Sequence, residues 1–104
     1  MNLPMAAGSS DAEYRSAFEE KVLPAADAFQ PDLVLISAGF DAHRRDPLAN
    51  LNLVEADFAW ATSKLMDVSD RVCGGRLVSL LEGGYDLDGL ARSVAAHVLT
   101  LMGA

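Results

Sequence analysis

The sequence predicts an α/β fold with elements in the order helix, strand, helix, strand, helix. Two observations carry this. Leu33-Val34-Leu35-Ile36 and Leu77-Val78-Ser79-Leu80-Leu81 are short, nearly continuous apolar runs, the pattern of strands covered on both faces. Three stretches with apolar residues at helical spacing lie before, between and after them. A strand, a crossover helix and a second strand form a βαβ unit, so the two strands are expected to be parallel.

The first helix is expected to begin at Ser10, where Ser10-Asp11-Ala12-Glu13 reads as a capping box. Tyr14, Phe18, Val22, Ala25 and Phe29 fall on one face behind it. Pro24 removes one backbone hydrogen bond, which predicts a kink, and Gln30-Pro31-Asp32 ends the helix. After the first strand the chain reads as a long loop from Gly39 to Leu53, and loops of this length in compact domains are usually functional or disordered. Phe58, Ala61, Leu65, Val68 and Val72 mark the second helix, stopped by Gly74-Gly75. The second strand leads into Glu82-Gly83-Gly84-Tyr85-Asp86. Asp86 is placed to cap a third helix whose inner face is expected to be Leu87, Leu90, Ala91, Val94, Val98 and Leu101.

At 104 residues the chain holds one domain at most. Two strands apolar on both faces need neighbours at their edges, and three helices do not supply them. Residues 1–104 therefore read as a single partial domain, a piece of a larger sheet. Fifteen acidic residues against eight basic ones give a net charge of −7, which argues against a nucleic-acid or anionic-membrane surface. The one dense basic spot, Arg44-Arg45, is flanked by Asp41 and Asp46. The single cysteine, Cys73, excludes an internal disulfide, and a small buried apolar role suits it better than a nucleophile's. The first residues lack the basic and apolar regions of a secretory leader, and no run is long enough to span a membrane. A cytoplasmic location is the expectation.

In open parallel sheets ligands bind at the carboxyl ends of the strands. Those ends carry Gly39-Phe40-Asp41-Ala42-His43 and Glu82-Gly83-Gly84-Tyr85, two polar loops expected to converge on one edge. Asp41 and His43, two residues apart, have the donor types for zinc. On spacing alone this is weak, since a loop aspartate is more often a turn former or a helix cap. Tyr85, behind two glycines, has a phenol able to hydrogen-bond a developing oxyanion, but a tyrosine in that place is more often a packing residue with a solvated hydroxyl. For Glu82 a general base is weighed against a backbone-bonding partner, and the second reading is preferred. His97, mid-helix between Ala96 and Val98, reads as packing rather than as a ligand.

Ser37-Ala38-Gly39-Phe40-Asp41-Ala42-His43, Asp46-Pro47-Leu48, Leu81-Glu82-Gly83-Gly84-Tyr85-Asp86 and Ser93-Val94-Ala95-Ala96-His97, taken in order, resemble the histone deacetylase family. The resemblance is to the C-terminal portion of its bacterial members: acetylpolyamine amidohydrolases, acetoin-utilisation-type proteins and class II-like deacetylases. It covers nearly the whole chain. It implies part of an arginase–deacetylase-like three-layer α/β/α sandwich around a parallel sheet. It further implies that Asp41 is the third zinc ligand and that Tyr85 polarises the acetyl carbonyl and stabilises the oxyanion. Gly83 and Gly84 would line the substrate tunnel, with Leu48 on its wall. His43 matches no ligand of the family and is withdrawn from the metal site. Val54 departs from the serine or threonine common there, so the second helix is expected to start less firmly.

The family's reaction uses a zinc-bound water and a histidine pair, with two further zinc ligands from an Asp-x-His motif. The histidine pair and these two ligands are not found here: no second Asp-x-His accompanies Asp41-Ala42-His43, and His43 and His97 are the only histidines. The resemblance thus implies a zinc-dependent hydrolysis of N-acetyl amides, of acetyl-lysine or acetylpolyamine type, in an intact protein. The chain alone is expected to hold zinc weakly and to be inactive. Its expected partners are the acetylated amine substrate and either a second copy or the missing N-terminal part. A reading of another class is a non-catalytic, self-associating α/β module that uses its exposed strand edge.

Overall fold

The computed structural model describes residues 1–103. Its elements follow the expected order: α1 (Asp11–Ala17), a π-helical turn (Phe18–Val22), α2 (Leu23–Phe29), β1 (Val34–Gly39), α3 (Glu55–Cys73), β2 (Leu77–Gly83) and α4 (Leu87–Leu101). β1 and β2 pair in parallel, with Val34 opposite Leu77 and Ala38 opposite Leu81. The register then slips, so that Gly39 faces Gly83 and Glu82 is left out of the pairing.

α1, the π turn and α2 run on as one helical stretch, because Pro24 is accommodated by the π turn rather than by a break. Pro24 has no N–H to give, and the N–H of Leu23 reaches five residues back to the carbonyl of Phe18. One extra residue in the turn rotates everything after it by about a third of a turn. Tyr14 and Phe18 therefore face inward as expected, while Ala25 and Phe29 do not, and Phe29 is 81% exposed. Leu23 and Ala26 take the inward side instead.

α3 starts more firmly than Val54 at its N-cap suggests. The Asp57 carboxylate, buried in the third helical position, accepts from the Val54 N–H at 2.9 Å and from Arg15 at 3.1 Å. Half of a capping box thus works without the serine or threonine. At its other end Gly74 turns left-handed at φ 63°, and its N–H returns to Ser69.

The core lies between the sheet and the helices and consists of Ala38, Phe40, Leu53 and Phe58, with Tyr14, Ile36, Leu90 and Val94 packed around it. The expectation that both faces of the strands are covered does not hold among the described residues. Side chains alternate across a strand, and the inward set meets helices on one side only. α3 and α4 both reach Ser79 through His97, whose ring sits between the Thr62 and Ser79 hydroxyls. The outward set, Leu35, Val78 and Leu80, is left 64%, 45% and 63% exposed.

The inner face of α4 also differs from the apolar stripe. Gly89, Ser93 and His97 are buried, Leu90 and Val94 flank them, and Leu87, Ala91 and Val98 face outward. The helix is turned by the polar bonds of His97, which an apolar pattern does not register. Asp86 caps it as expected, accepting from the Gly89 N–H at 2.8 Å.

Candidate functional site at the carboxyl ends of the strands

β1 and β2 deliver their two loops to one edge. Phe40 extends the pairing by one bond, donating its N–H to the Gly83 carbonyl at 2.8 Å. Its ring is buried and meets Phe58 and His97 edge-on, at 5.1 and 5.6 Å between centroids. This anchor fixes the next residue. The Asp41 carboxylate lies across the ends of both strands, so close that a methyl group on Gly39 would come within 3.1 Å of it and one on Gly83 within 3.3 Å. A side chain at Gly83 would press on the carboxylate, which would have to give by a few tenths of an ångström. Asp41 accepts no hydrogen bond from the described residues.

Gly84 is glycine for both conformation and space. Its φ is +135°, and a methyl group would stand 2.8 Å from Leu90 Cδ1 and 3.3 Å from Phe40 Cβ. The next residue, Tyr85, leaves the surface with its side chain 57% exposed, and Leu48 on the opposite loop is 65% exposed.

Sequence reasoning assigned no role to the residue that joins these two loops. Asp46 is only 7% exposed. One of its oxygens accepts from the N–H groups of Tyr85 (2.7 Å) and Asp86 (3.0 Å), and the other accepts from Leu48 N–H (3.0 Å). Desolvation opposes ionisation of Asp46. The three N–H donors, together with the neighbouring His43 ring, outweigh it and hold the carboxyl below its ordinary value. The available signal was an aspartate before proline in a loop that has to fold back on itself.

His43 is buried and turned into the base of the loop. Its Nδ1 accepts from the Arg45 N–H at 3.1 Å, its ring abuts Gly89, and its Nε2 stands 3.4 Å from Glu55. The main chain of the same loop is pinned by Arg44 N–H to Leu53 O and Leu53 N–H to Ala42 O. Asp41 lies against Gly39 and Gly83, whereas His43 meets Arg45, Gly89 and Glu55. Glu55 is held below the ordinary carboxylate value, first by its own N–H at the start of α3 and then by His43 and Arg92, against its desolvation. Glu82 is exposed in the bulge. Cys73 is buried, its thiol pointing to the Arg76 carbonyl.

The two loops thus bring a carboxylate seated on two glycines and an exposed phenol to the same edge of the parallel strands. The family model for the histone deacetylase domain matches residues 1–101, and the chain belongs to the histone deacetylase family. It is 46% identical to histone deacetylase 14, chloroplastic, of Arabidopsis thaliana, over 99% of this chain and 24% of that protein. It is 42% identical to polyamine deacetylase HDAC10 of Mus musculus, over 99% of this chain and 15% of that one. Among solved structures, the HDA15 HD domain superposes with a TM-score of 0.86 at 43% identity, covering 94% of this chain and 26% of the other. The chain thus spans about a quarter of the length of the first curated relatives it matches.

Deacetylases of this family are in general zinc-dependent, and a catalytic zinc takes three protein ligands with a fourth position open. Asp41, a carboxylate with no other hydrogen-bond partner, fits one of the three. Among the described residues no group of three histidine, cysteine, aspartate or glutamate side chains could hold a metal ion. The donor set therefore fits one coordination position and not a whole site. No helix among the described residues is long and apolar enough to cross a membrane.

Proposed function

We propose that these residues form one wall of the active site of a deacetylase that hydrolyses N-acetyl amides, of acetyl-lysine or acetylpolyamine type, to acetate and a free amine. Asp41 serves as one zinc ligand. Tyr85 donates its hydroxyl proton in a hydrogen bond to the acetyl oxygen as that oxygen gains negative charge. Gly83 and Gly84 leave room for the acyl chain beside them, and Leu48 offers it an apolar wall. The metal, when bound, supplies Lewis acidity toward the carbonyl and the attacking water. The observation that carries this reading is the Asp41 carboxylate, seated on Gly39 and Gly83 and without another partner. The free thiol of Cys73 suits a reducing compartment such as the cytoplasm.

With one ligand of three, the 104 residues alone are expected to bind zinc weakly and to release no acetate. Calorimetric zinc titration of this chain beside Asp41→Ala checks the first point. Tight stoichiometric binding that is lost in Asp41→Ala would overturn it. The role in catalysis is tested by exchanging these residues for the matching 103 of the Arabidopsis relative and assaying the hybrid on an acetyl-lysine peptide. An active hybrid that loses at least about 100-fold in both Asp41→Ala and Tyr85→Phe is the expected result. Full activity in either variant removes that residue from the mechanism.

A second reading rests on the bare sheet face of Leu35, Val78 and Leu80. A surface of this kind is an interface wanting a partner. In this reading the chain associates with itself as a non-catalytic module, with this face and the exposed strand edge as the interface. Sedimentation of the chain that shows a monomer at all concentrations would exclude self-pairing.

A further inference from the structure

The deacetylase reading gives Tyr85 a task and leaves open what holds it in place, because its ring is more than half exposed and packing does not fix it. We infer that Asp46 is the positioning residue for Tyr85 and Leu48, a single carboxylate that sets the spacing between the two loops of the site. The inference rests on Tyr85 acting on the acetyl oxygen.

The geometry is specific. One oxygen of Asp46 accepts two consecutive N–H groups, those of Tyr85 and Asp86, from residues 39 and 40 positions further along the chain. Two successive peptide groups aimed at one anion fix the planes on either side of the Tyr85 Cα, and so fix the direction in which its side chain leaves the backbone. The other oxygen takes the Leu48 N–H, with Pro47 between them restricting the turn. Both apolar and polar walls of the proposed tunnel thus hang from one side chain. The same contact continues into the scaffold, since Asp86 in turn caps α4 through Gly89.

The charge is needed as well as the shape. A buried carboxylate persists only where donors satisfy it, and three charge-assisted bonds do so here. Asparagine has the same outline but one acceptor oxygen, and its amide group would face N–H donors. Asp46→Asn therefore cannot hold both loops at once. Glutamate keeps the charge but places it one methylene further out, out of register with the three N–H groups that Asp46 meets.

Amide hydrogen exchange followed by NMR tests the clamp in the 104-residue chain. In the unsubstituted chain the Tyr85 and Asp86 amides are expected to exchange at least about 10-fold more slowly than the free loop amides. In Asp46→Asn they are expected to lose that protection, while the Leu53 amide, held by Ala42, keeps its own. Unprotected Tyr85 and Asp86 amides in the unsubstituted chain overturn the inference, and this arm holds even where Asp46→Asn fails to fold. In the Arabidopsis hybrid, Asp46→Asn is expected to lower kcat about 10-fold with little change in KM, and to add nothing in a Tyr85→Phe background. Losses that simply multiply would mean that Asp46 does not act through Tyr85. Protected amides together with a fully active Tyr85→Phe hybrid would instead sink the assignment of Tyr85, and with it any catalytic task for the clamp.

Discussion

The Thr62→Val substitution tests the polar centre of the fold, because the hydrogen bonds around His97 admit one arrangement of protons. Thr62 is buried, and its only hydroxyl proton is donated to the Phe58 carbonyl at 2.6 Å. At the 2.7 Å contact between Thr62 Oγ1 and His97 Nδ1, the proton must therefore belong to the ring. Nε2 is then the bare nitrogen of the neutral imidazole and accepts from the Ser79 hydroxyl at 2.8 Å. Valine keeps the shape of threonine, with a similar helix preference, and removes the acceptor. An orphaned buried N–H costs about 1–3 kcal/mol. The ring has a partial escape: moving its proton to Nε2 keeps the Ser79 bond, with the serine hydroxyl now accepting, and leaves only a lone pair unsatisfied. The loss should thus fall at the low end, about 1–2 kcal/mol. For a domain of this size that lowers Tm by roughly 4–15 °C. Urea unfolding followed by the fluorescence of Trp60, with the nitrogen shifts of the His97 ring measured by NMR, reads both consequences. A proton on Nε2 in the unsubstituted chain, or equal stability of the two proteins, would refute the argument.

Two further outcomes follow from the same structure. Burial holds His97 below its ordinary imidazole value, and the carboxyls of Asp46, Glu55 and Glu13 are lowered in the fold. In each case the unfolded chain binds the proton first on acidification, so stability must fall as pH drops. Urea midpoints should therefore be level between about pH 7 and 9, decline below about 6.5 and decline again below about 4.5, with the first decline absent from His97→Leu. A midpoint that rises between pH 7 and 5.5 would contradict this. Gly84→Ala meets a left-handed backbone, Leu90 and Phe40 together, whereas Gly74→Ala at φ 63° meets open space. Losses of about 3 and about 1 kcal/mol are expected. Equal losses in thermal unfolding would mean that the space around Gly84 is not closed.

The strands, their parallel pairing and the order of elements were legible because each rests on local chemistry: two apolar runs, Ser10 with Glu13, Gly74 after α3 and Asp86 before α4. Asp41 and Tyr85 were legible as members of two loops at one edge, and the resemblance to a family lifted them from two weak readings to one proposed site. What escaped depends on partners far away in sequence. The outward turn of Ala25 and Phe29 follows from one π turn at Pro24, which a fixed period of 3.6 does not contain. The outward turn of Leu87 and Val98 follows from His97, whose partners lie 35 and 18 residues away. Asp46 was quoted within a motif but given no role, because its donors sit on the far loop. The bare face of Leu35, Val78 and Leu80 was expected to be covered because their residue types ask for cover, and the described residues place every helix on the other side.

In both loops the residue proposed to act stands beside the residue that is held. Among the described residues the Asp41 carboxylate accepts no hydrogen bond, and its place comes from Phe40, whose ring is buried and whose N–H closes the ladder on Gly83. Tyr85 is exposed, and its place comes from its own N–H and that of Asp86, both bound to Asp46. Burial and catalysis make opposite demands on one side chain: a ligand or a proton donor has to keep its lone pairs or its proton free for something else. Placing the anchor on a neighbouring residue satisfies both. It also means that the backbone carrying the carboxylate and the phenol is held by the apolar core and one buried aspartate, before any metal or substrate contributes. Weakening Phe40 or Asp46 should therefore disturb the site while leaving every group proposed to take part in the reaction unchanged.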